Sequence, residues 1–234
     1  MQNQEKKWLI TQCMAHVASH NWLIHRIMLP ALLVAAENYA QGNLLDLGCA
    51  TKPWKPLFEP FISTYIGLDH LQSLHPLHQV DIVASVYHTG IQDNLVDTVL
   101  STAVLEHLEC PQDALNEIYR VLKPGGKAIL TVPLFWHLHE QPRDFFRYTE
   151  FGLAHLCGQA GFEIIKIIPL AGFIVTFFQE LVYFLNRLRR NYLNLPVLGL
   201  QAIIQRLAYF LNRWDRSYEF TWMYLIIARK PVRK

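Results

Sequence analysis

The sequence predicts an α/β fold, a mostly parallel sheet with helices on both faces. Two observations carry that expectation. Short runs rich in Leu, Ile and Val recur between residues 43 and 133, and helical segments lie between several of them. Strands separated by such crossovers form parallel sheets covered on each side. The composition, 52% hydrophobic and 12% aromatic over 234 residues, supplies a full core and excludes a disordered chain.

Residues 5–41 read as helical, because Trp8, Leu9, Cys13, Val17, Leu23, Ile27 and Leu32 recur at helical spacing. Pro30 is expected to break or kink that segment, and Gly42 to end it. Seven strands follow, over 43–48, 65–69, 79–84, 96–101, 127–133, 161–168 and 221–229. The first of them is short, largely apolar and closed by Gly48, as suits a buried parallel strand. Pro111 to Leu122 is the clearest crossover helix, with Ala114, Leu115, Ile118, Val121 and Leu122 on one face. Thr149 and Glu150 open a helix that runs to about Gly158. Two amphipathic helices are expected near 171–190 and 197–214, joined at Pro196 and Gly199. The chain therefore reads as one domain. It has N-terminal helices over 1–41, a core over 42–169, a helical insertion over 170–220, and a last strand with a basic tail over 221–234.

The net charge of +2 conceals a split, with +8 from Arg187 to Lys234 and −6 over the remainder. A basic end suits an anionic partner, or simply a solvated basic face. Cys13, Cys49, Cys110 and Cys157 make no C-x-x-C pair, which fits a reducing, cytoplasmic setting without disulfides or structural zinc. The start MQNQEKKW carries no signal peptide, and no apolar run reaches the ~18 residues that span a bilayer. Peripheral membrane contact stays open.

The strongest chemical signal is Leu44-Leu-Asp-Leu-Gly-Cys-Ala-Thr51, a strand ending in a small-residue turn that lets a ligand approach the backbone. A dinucleotide fingerprint needs G-x-G-x-x-G, but this chain has Gly48, Ala50 and Pro53 there. Pro53 lacks the N–H that a pyrophosphate cradle requires. Asp69 ends the next strand, where a carboxylate can accept both hydroxyls of a ribose. The site thus reads as one for a nucleoside without a diphosphate.

With those residues in place the chain resembles the class I S-adenosylmethionine-dependent methyltransferases, of the small-molecule type with a Rossmann-like domain. The resemblance covers roughly residues 40–170. It is carried by LLDLGCAT (44–51), YIGLD (65–69), DNLVDTVLSTAVLEHL (93–108), EIYRVLKPGG (117–126) and AILTVP (128–133), in that order. It implies S-adenosylmethionine as cofactor. It further implies that Asp46, Gly48, Cys49, Ala50 and Thr51 contact the methionine part and that Asp69 binds the ribose. Ser85 and Val86 then sit beside the adenine, and Ser101 and Thr102 line the sulfonium and acceptor side. Lys123-Pro-Gly-Gly126 is the turn into the fifth strand. Two positions depart from the family pattern. Ala50 stands where Gly is common, and Ser85 where Asp is common, so a weaker acceptor faces the adenine.

For O-methylation a base near neutral pKa is useful, and His is the natural choice. The candidates are His107, beside Glu106 after the fourth strand at the opening of a helix, and His139, in the loop after the fifth. Each has a purely structural alternative. Asp144, Arg147 and Tyr148 could hold a polar acceptor, or could form an ordinary loop network in which Asp144 pairs with Arg143 or Arg147. His137 and His139 form H-x-H without a third ligand at metal spacing, so no metal is expected. His16 and His20 read as surface or core filling, and His70, His75 and His78 as loop residues.

The expected acceptor is a small, saccharide or lipid-linked hydroxyl compound. A catalytically silent cofactor-binding scaffold is the alternative, kept alive by Ala50 and Ser85. Nucleic acid is not expected. The 171–214 helices, apolar with flanking Arg, suit a packed hairpin or lid, a homodimer face or a membrane contact.

Overall fold

The structure is a computed structural model describing residues 1–15, 17–189 and 194–232. His16, Arg190, Arg233 and Lys234, used in the reading above, lie outside the described residues. One sheet holds β1 (Asn43–Leu47), β2 (Thr64–Asp69), β3 (Ile82–Val83), β4 (Val96–Thr102), β5 (Leu122–Pro133), β6 (Glu163–Pro169) and β7 (Met223–Arg229). Their spatial order is β3-β2-β1-β4-β5-β7-β6. The first five are parallel, and β7 lies antiparallel between β5 and β6. The order reverses between β1 and β4, so a ligand crevice is expected at their carboxyl ends.

Seven helices complete the chain among the described residues: α1 (Asn3–Met14), α2 (Trp22–Tyr39), α3 (Lys55–Phe58), α4 (Pro111–Val121), α5 (Glu150–Gln159), α6 (Phe173–Asn186) and α7 (Asn194–Leu211). The strands feed two apolar clusters by alternation. Leu44, Leu100 and Ile129 join α1, α2, α3 and parts of α6 and α7 on one side. Leu45, Leu47, Val99 and Leu130 join α4 and α5 on the other.

The expected elements are present with local corrections. Pro30 does not break the N-terminal segment, since it lies inside α2, exposed to solvent. Buried Leu23, Ile24, Leu29, Leu32 and Leu33 hold that helix against the missing hydrogen bond. The break falls between α1 and α2 instead. Pro196 does not mark the hairpin join but sits in the first turn of α7, where an N–H would have no helical partner anyway. Gly199 is likewise within α7. The third strand shrinks to two residues. Glu106 and His107 do not open a helix: they form a short 3-10 turn, and α4 begins only at Pro111. Thr149 caps α5 as expected, its side-chain oxygen accepting from Gly152 N at 3.1 Å.

Two buried glutamines tie the hairpin of α6 and α7 to the start of α2 and the turn before it, and a third braces the hairpin itself. Gln205 accepts from Leu23 N at 3.0 Å and donates to Ser19 O at 3.0 Å, while Gln179 donates to His20 O at 2.8 Å. Gln201 donates to Val182 O at 3.0 Å within the hairpin. No local side chain caps α2, so the hairpin supplies that cap.

Candidate active site

The turn after β1 uses three left-handed residues, Gly48 (φ 71°), Ala50 (φ 46°) and Lys52 (φ 55°). Gly48 has a second constraint, because a Cβ there would lie 2.5 Å from Val104 Cγ2. Ala50 and Lys52 hold a conformation that costs about 1–2 kcal/mol for a residue with a Cβ. Two carboxylates hold the turn in it. Asp69 Oδ2 accepts from Ala50 N at 2.9 Å, and Asp81 Oδ2 accepts from Lys52 Nζ at 2.6 Å and from Gly67 N at 2.7 Å.

Asp69 is buried at the tip of β2, and its Oδ1 accepts from His70 N at 2.8 Å. A carboxylate offers about four acceptor sites, so two backbone bonds leave room for two hydroxyls. Asp46 is buried beneath the turn and accepts from the Tyr65 hydroxyl at 2.5 Å, while its Oδ1 has no partner. Burial pushes the Asp46 carboxyl up to about 7, against the pull of the Tyr65 hydrogen bond. Burial also pushes the Cys49 thiol up to about 12, which keeps it un-ionised. Ser101 is buried at the end of β4, and Thr102 Oγ1 accepts from Trp54 Nε1 at 3.1 Å. Ser85 is exposed, and its Oγ accepts from Tyr87 N at 3.2 Å. Val86 packs partly against the α4 side of the core.

The sequence reading did not single out Glu117 and Arg120 of α4, which anchor the segment after β3. Glu117 Oε1 accepts from both Thr89 N and Thr89 Oγ1 at 2.7 Å, and Arg120 donates to Glu117 and to Ile91 O. Burial raises the Glu117 carboxyl, but Arg120 and Thr89 outweigh it and hold the group at about 2. The E-x-x-R spacing on one helix face was the available signal.

The 134–149 loop folds back over the strand ends. His107 Nδ1 bonds Arg143 O at 2.5 Å, and Arg143 Nη1 reaches His70 Nδ1 at 3.2 Å. Phe145 N donates to Glu106 O at 2.9 Å. The loop thus joins the tip of β2 to the turn after β4. His107 and His139, 32 positions apart in sequence, meet with ring centroids 4.6 Å apart. Glu106 joins them from the same turn, with one ligand atom of each residue within 4.8 Å of the others. His139 therefore pairs with His107 more closely than with His137, whose ring is 6.2 Å away. Burial and the neighbouring His107 lower the His139 pKa, keeping it neutral at pH 7. Burial pushes the Glu106 carboxyl up to about 8.

Asp144 pairs with Arg147, at 2.6 and 2.9 Å, and accepts from His139 N at 3.0 Å. Burial raises the Asp144 carboxyl, but these partners outweigh it and hold the group at about 2. Arg147 also donates to Trp136 O and His137 O, so the pair staples the loop. Tyr148 is buried and donates to Leu105 O at 2.8 Å. Its hydroxyl proton is given to the backbone. Trp136, Tyr183 and Trp222 form an aromatic wall next to His139 and His137.

Residues 45–130 match the family model described as a methyltransferase domain. The sheet order and the closed turn agree with it. Over those residues the chain is similar to the class I S-adenosylmethionine-dependent methyltransferases. An uncharacterised protein of Methanocaldococcus jannaschii is 36% identical over 102 residues, which are 43% of this chain and 45% of that protein. A Mycolicibacterium smegmatis protein named as a "probable S-adenosylmethionine-dependent methyltransferase" is 29% identical over 143 residues, with 55% of each chain covered. The chain thus spans about half the length of these curated relatives. Among solved structures, Haemonchus contortus phosphoethanolamine N-methyltransferase 2 with S-adenosylhomocysteine superposes with a TM-score of 0.58 at 15% identity. The match covers 92% of this chain and 57% of that one, a likeness of fold. The residues present fit this methyltransferase cofactor: Asp69 keeps acceptor capacity for a ribose, and Asp46 has a buried oxygen free beneath the turn.

Proposed function

We propose that the protein transfers the methyl group of S-adenosylmethionine to a hydroxyl of a saccharide or lipid-linked acceptor. The observation that carries this reading is Asp69, fastened to Ala50 N and His70 N so that its remaining acceptor sites have a fixed direction. The cofactor supplies an electrophilic methyl on sulfur; the chain supplies orientation. Asp69 would hold the ribose hydroxyls, and Asp46 Oδ1 would accept from the ammonium of the methionine part. Ser85 and Val86 would lie along the adenine, with the Glu117–Arg120 pair holding their loop. Ser101 and Thr102 would line the sulfonium side. His107 and His139 would meet the acceptor hydroxyl, and Asp144 and Arg147 would hold the loop that carries His139. Calorimetry with S-adenosylmethionine and S-adenosylhomocysteine tests the reading. Folded protein that ignores both at millimolar concentration overturns it.

The lipid-linked option is favoured by the outer face of the hairpin. Phe177, Ile203 and Trp214 are 51%, 66% and 62% exposed, alongside Phe173, Phe184, Leu207 and Phe210. Arg213 lies 3.5 Å over the Phe210 ring and 4.0 Å over that of Trp214, and Arg206 and Arg216 are exposed nearby in sequence. Exposed aromatic residues with arginines suit the surface of an anionic bilayer. None of the described helices is long and apolar enough to cross a membrane. Cosedimentation with anionic vesicles, with neutral vesicles as control, tests this surface, and absence of binding to both removes it.

A further inference from the structure

We propose that Glu106, His107 and His139 form a binding site for a divalent transition-metal ion. One ligand atom from each of the first three lies within 4.8 Å of the other two. Donors around a tetrahedral ion of this class stand about 3.4 Å apart, so side-chain shifts of about 1 Å close the set. Two imidazoles and a carboxylate are a donor set for zinc, cobalt, nickel or iron rather than for magnesium or calcium.

Three features separate this cluster from an ordinary polar network. First, the convergent atoms do not satisfy one another. His107 Nε2 stands 4.0 Å from Glu106 Oε1 and 3.8 Å from Glu140 Oε2, both beyond hydrogen-bond reach. Second, Glu106 is 1% exposed and its Oε2 has no hydrogen-bond partner. Such an atom is costly to bury unless something binds it. Third, both rings are held by Nδ1. His107 Nδ1 bonds Arg143 O at 2.5 Å, and His139 Nδ1 bonds His137 O at 3.2 Å with Asp144 Oδ2 at 3.5 Å. An N–H given to a carbonyl at Nδ1 leaves the Nε2 lone pair for an ion, the usual second contact of a metal-bound histidine.

Three protein donors leave positions open for water or for oxygen atoms of an acceptor. That purpose rests on the methyl-transfer reading, but binding of the ion does not. The test uses full-length protein stripped with a chelator and titrated with Zn2+ by calorimetry, and with Co2+ by visible absorption. We expect one equivalent bound, and a loss of affinity of about 100-fold or more in Glu106→Gln, His107→Ala and His139→Ala. His78→Ala, on an exposed segment, should bind like the wild type. His139 lies in a surface loop, so His139→Ala remains informative where the other variants fail to fold. Absence of binding at millimolar metal overturns the proposal, and so does binding that survives His139→Ala. Because cofactor titration is scored separately, loss of metal binding with S-adenosylmethionine binding intact sinks this site alone.

Discussion

Replacing Asp69 by Asn separates the two duties of that carboxylate. In the wild type it accepts from His70 N at 2.8 Å and from Ala50 N at 2.9 Å. Hydrogen bonds to a charged acceptor contribute roughly 1.5–3 kcal/mol each, against about 1 kcal/mol for neutral ones. Asn keeps one carbonyl oxygen, so one bond weakens to the neutral kind. The other N–H faces an NH2 donor and is lost. The expected cost is about 2–4 kcal/mol, or a melting temperature lower by roughly 5–12 °C for a chain of this size. The same change removes one ribose acceptor and neutralises the other, which corresponds to a loss of about 2–3 kcal/mol in cofactor binding, roughly 30–150-fold. Calorimetry with S-adenosylhomocysteine at a temperature where the variant is folded measures the second term, and a melting curve the first. A lowered melting temperature with affinity within threefold of wild type would refute the ribose assignment and leave Asp69 only as a clasp for the turn.

Further predictions follow from the same geometry. Ala50→Gly removes a left-handed alanine and should stabilise the fold by about 0.5–1 kcal/mol in denaturant titration, without weakening cofactor binding. Glu117 is held at about 2, below its ordinary 4.5, so its contribution is complete above pH 4.5 and disappears as pH falls towards 2. Glu117→Gln should therefore destabilise at pH 7 by on the order of 2 kcal/mol and flatten the acid limb of the stability–pH curve; an unchanged limb would contradict the network. Gln205→Ala leaves Leu23 N and Ser19 O without their partner and should cost about 1–3 kcal/mol. Ile203→Asp should abolish cosedimentation with anionic vesicles while leaving the melting temperature within about 1 °C, because the side chain is 66% exposed.

The residues proposed to hold the cofactor could be singled out in the chain because they are local. A strand, a small-residue turn and an acid ending the next strand are close neighbours in sequence, and the parallel sheet brings their ends together through register alone, with Asp46 opposite Gly67. Alternation and helical spacing likewise declare the β1–β5 core and α4. Spacing does not say where a side chain goes when its partners are distant. Pro30 stays inside a helix because buried leucines hold that helix. The Leu23 N–H at the N-terminus of α2 is satisfied by Gln205, 182 positions away. Tyr148 turns inward to a backbone carbonyl, and His139 turns from His137 towards His107. These outcomes come from which surfaces the packed loop and hairpin bury together. That is a property of long-range contact, and a linear pattern of residues carries no distance for it.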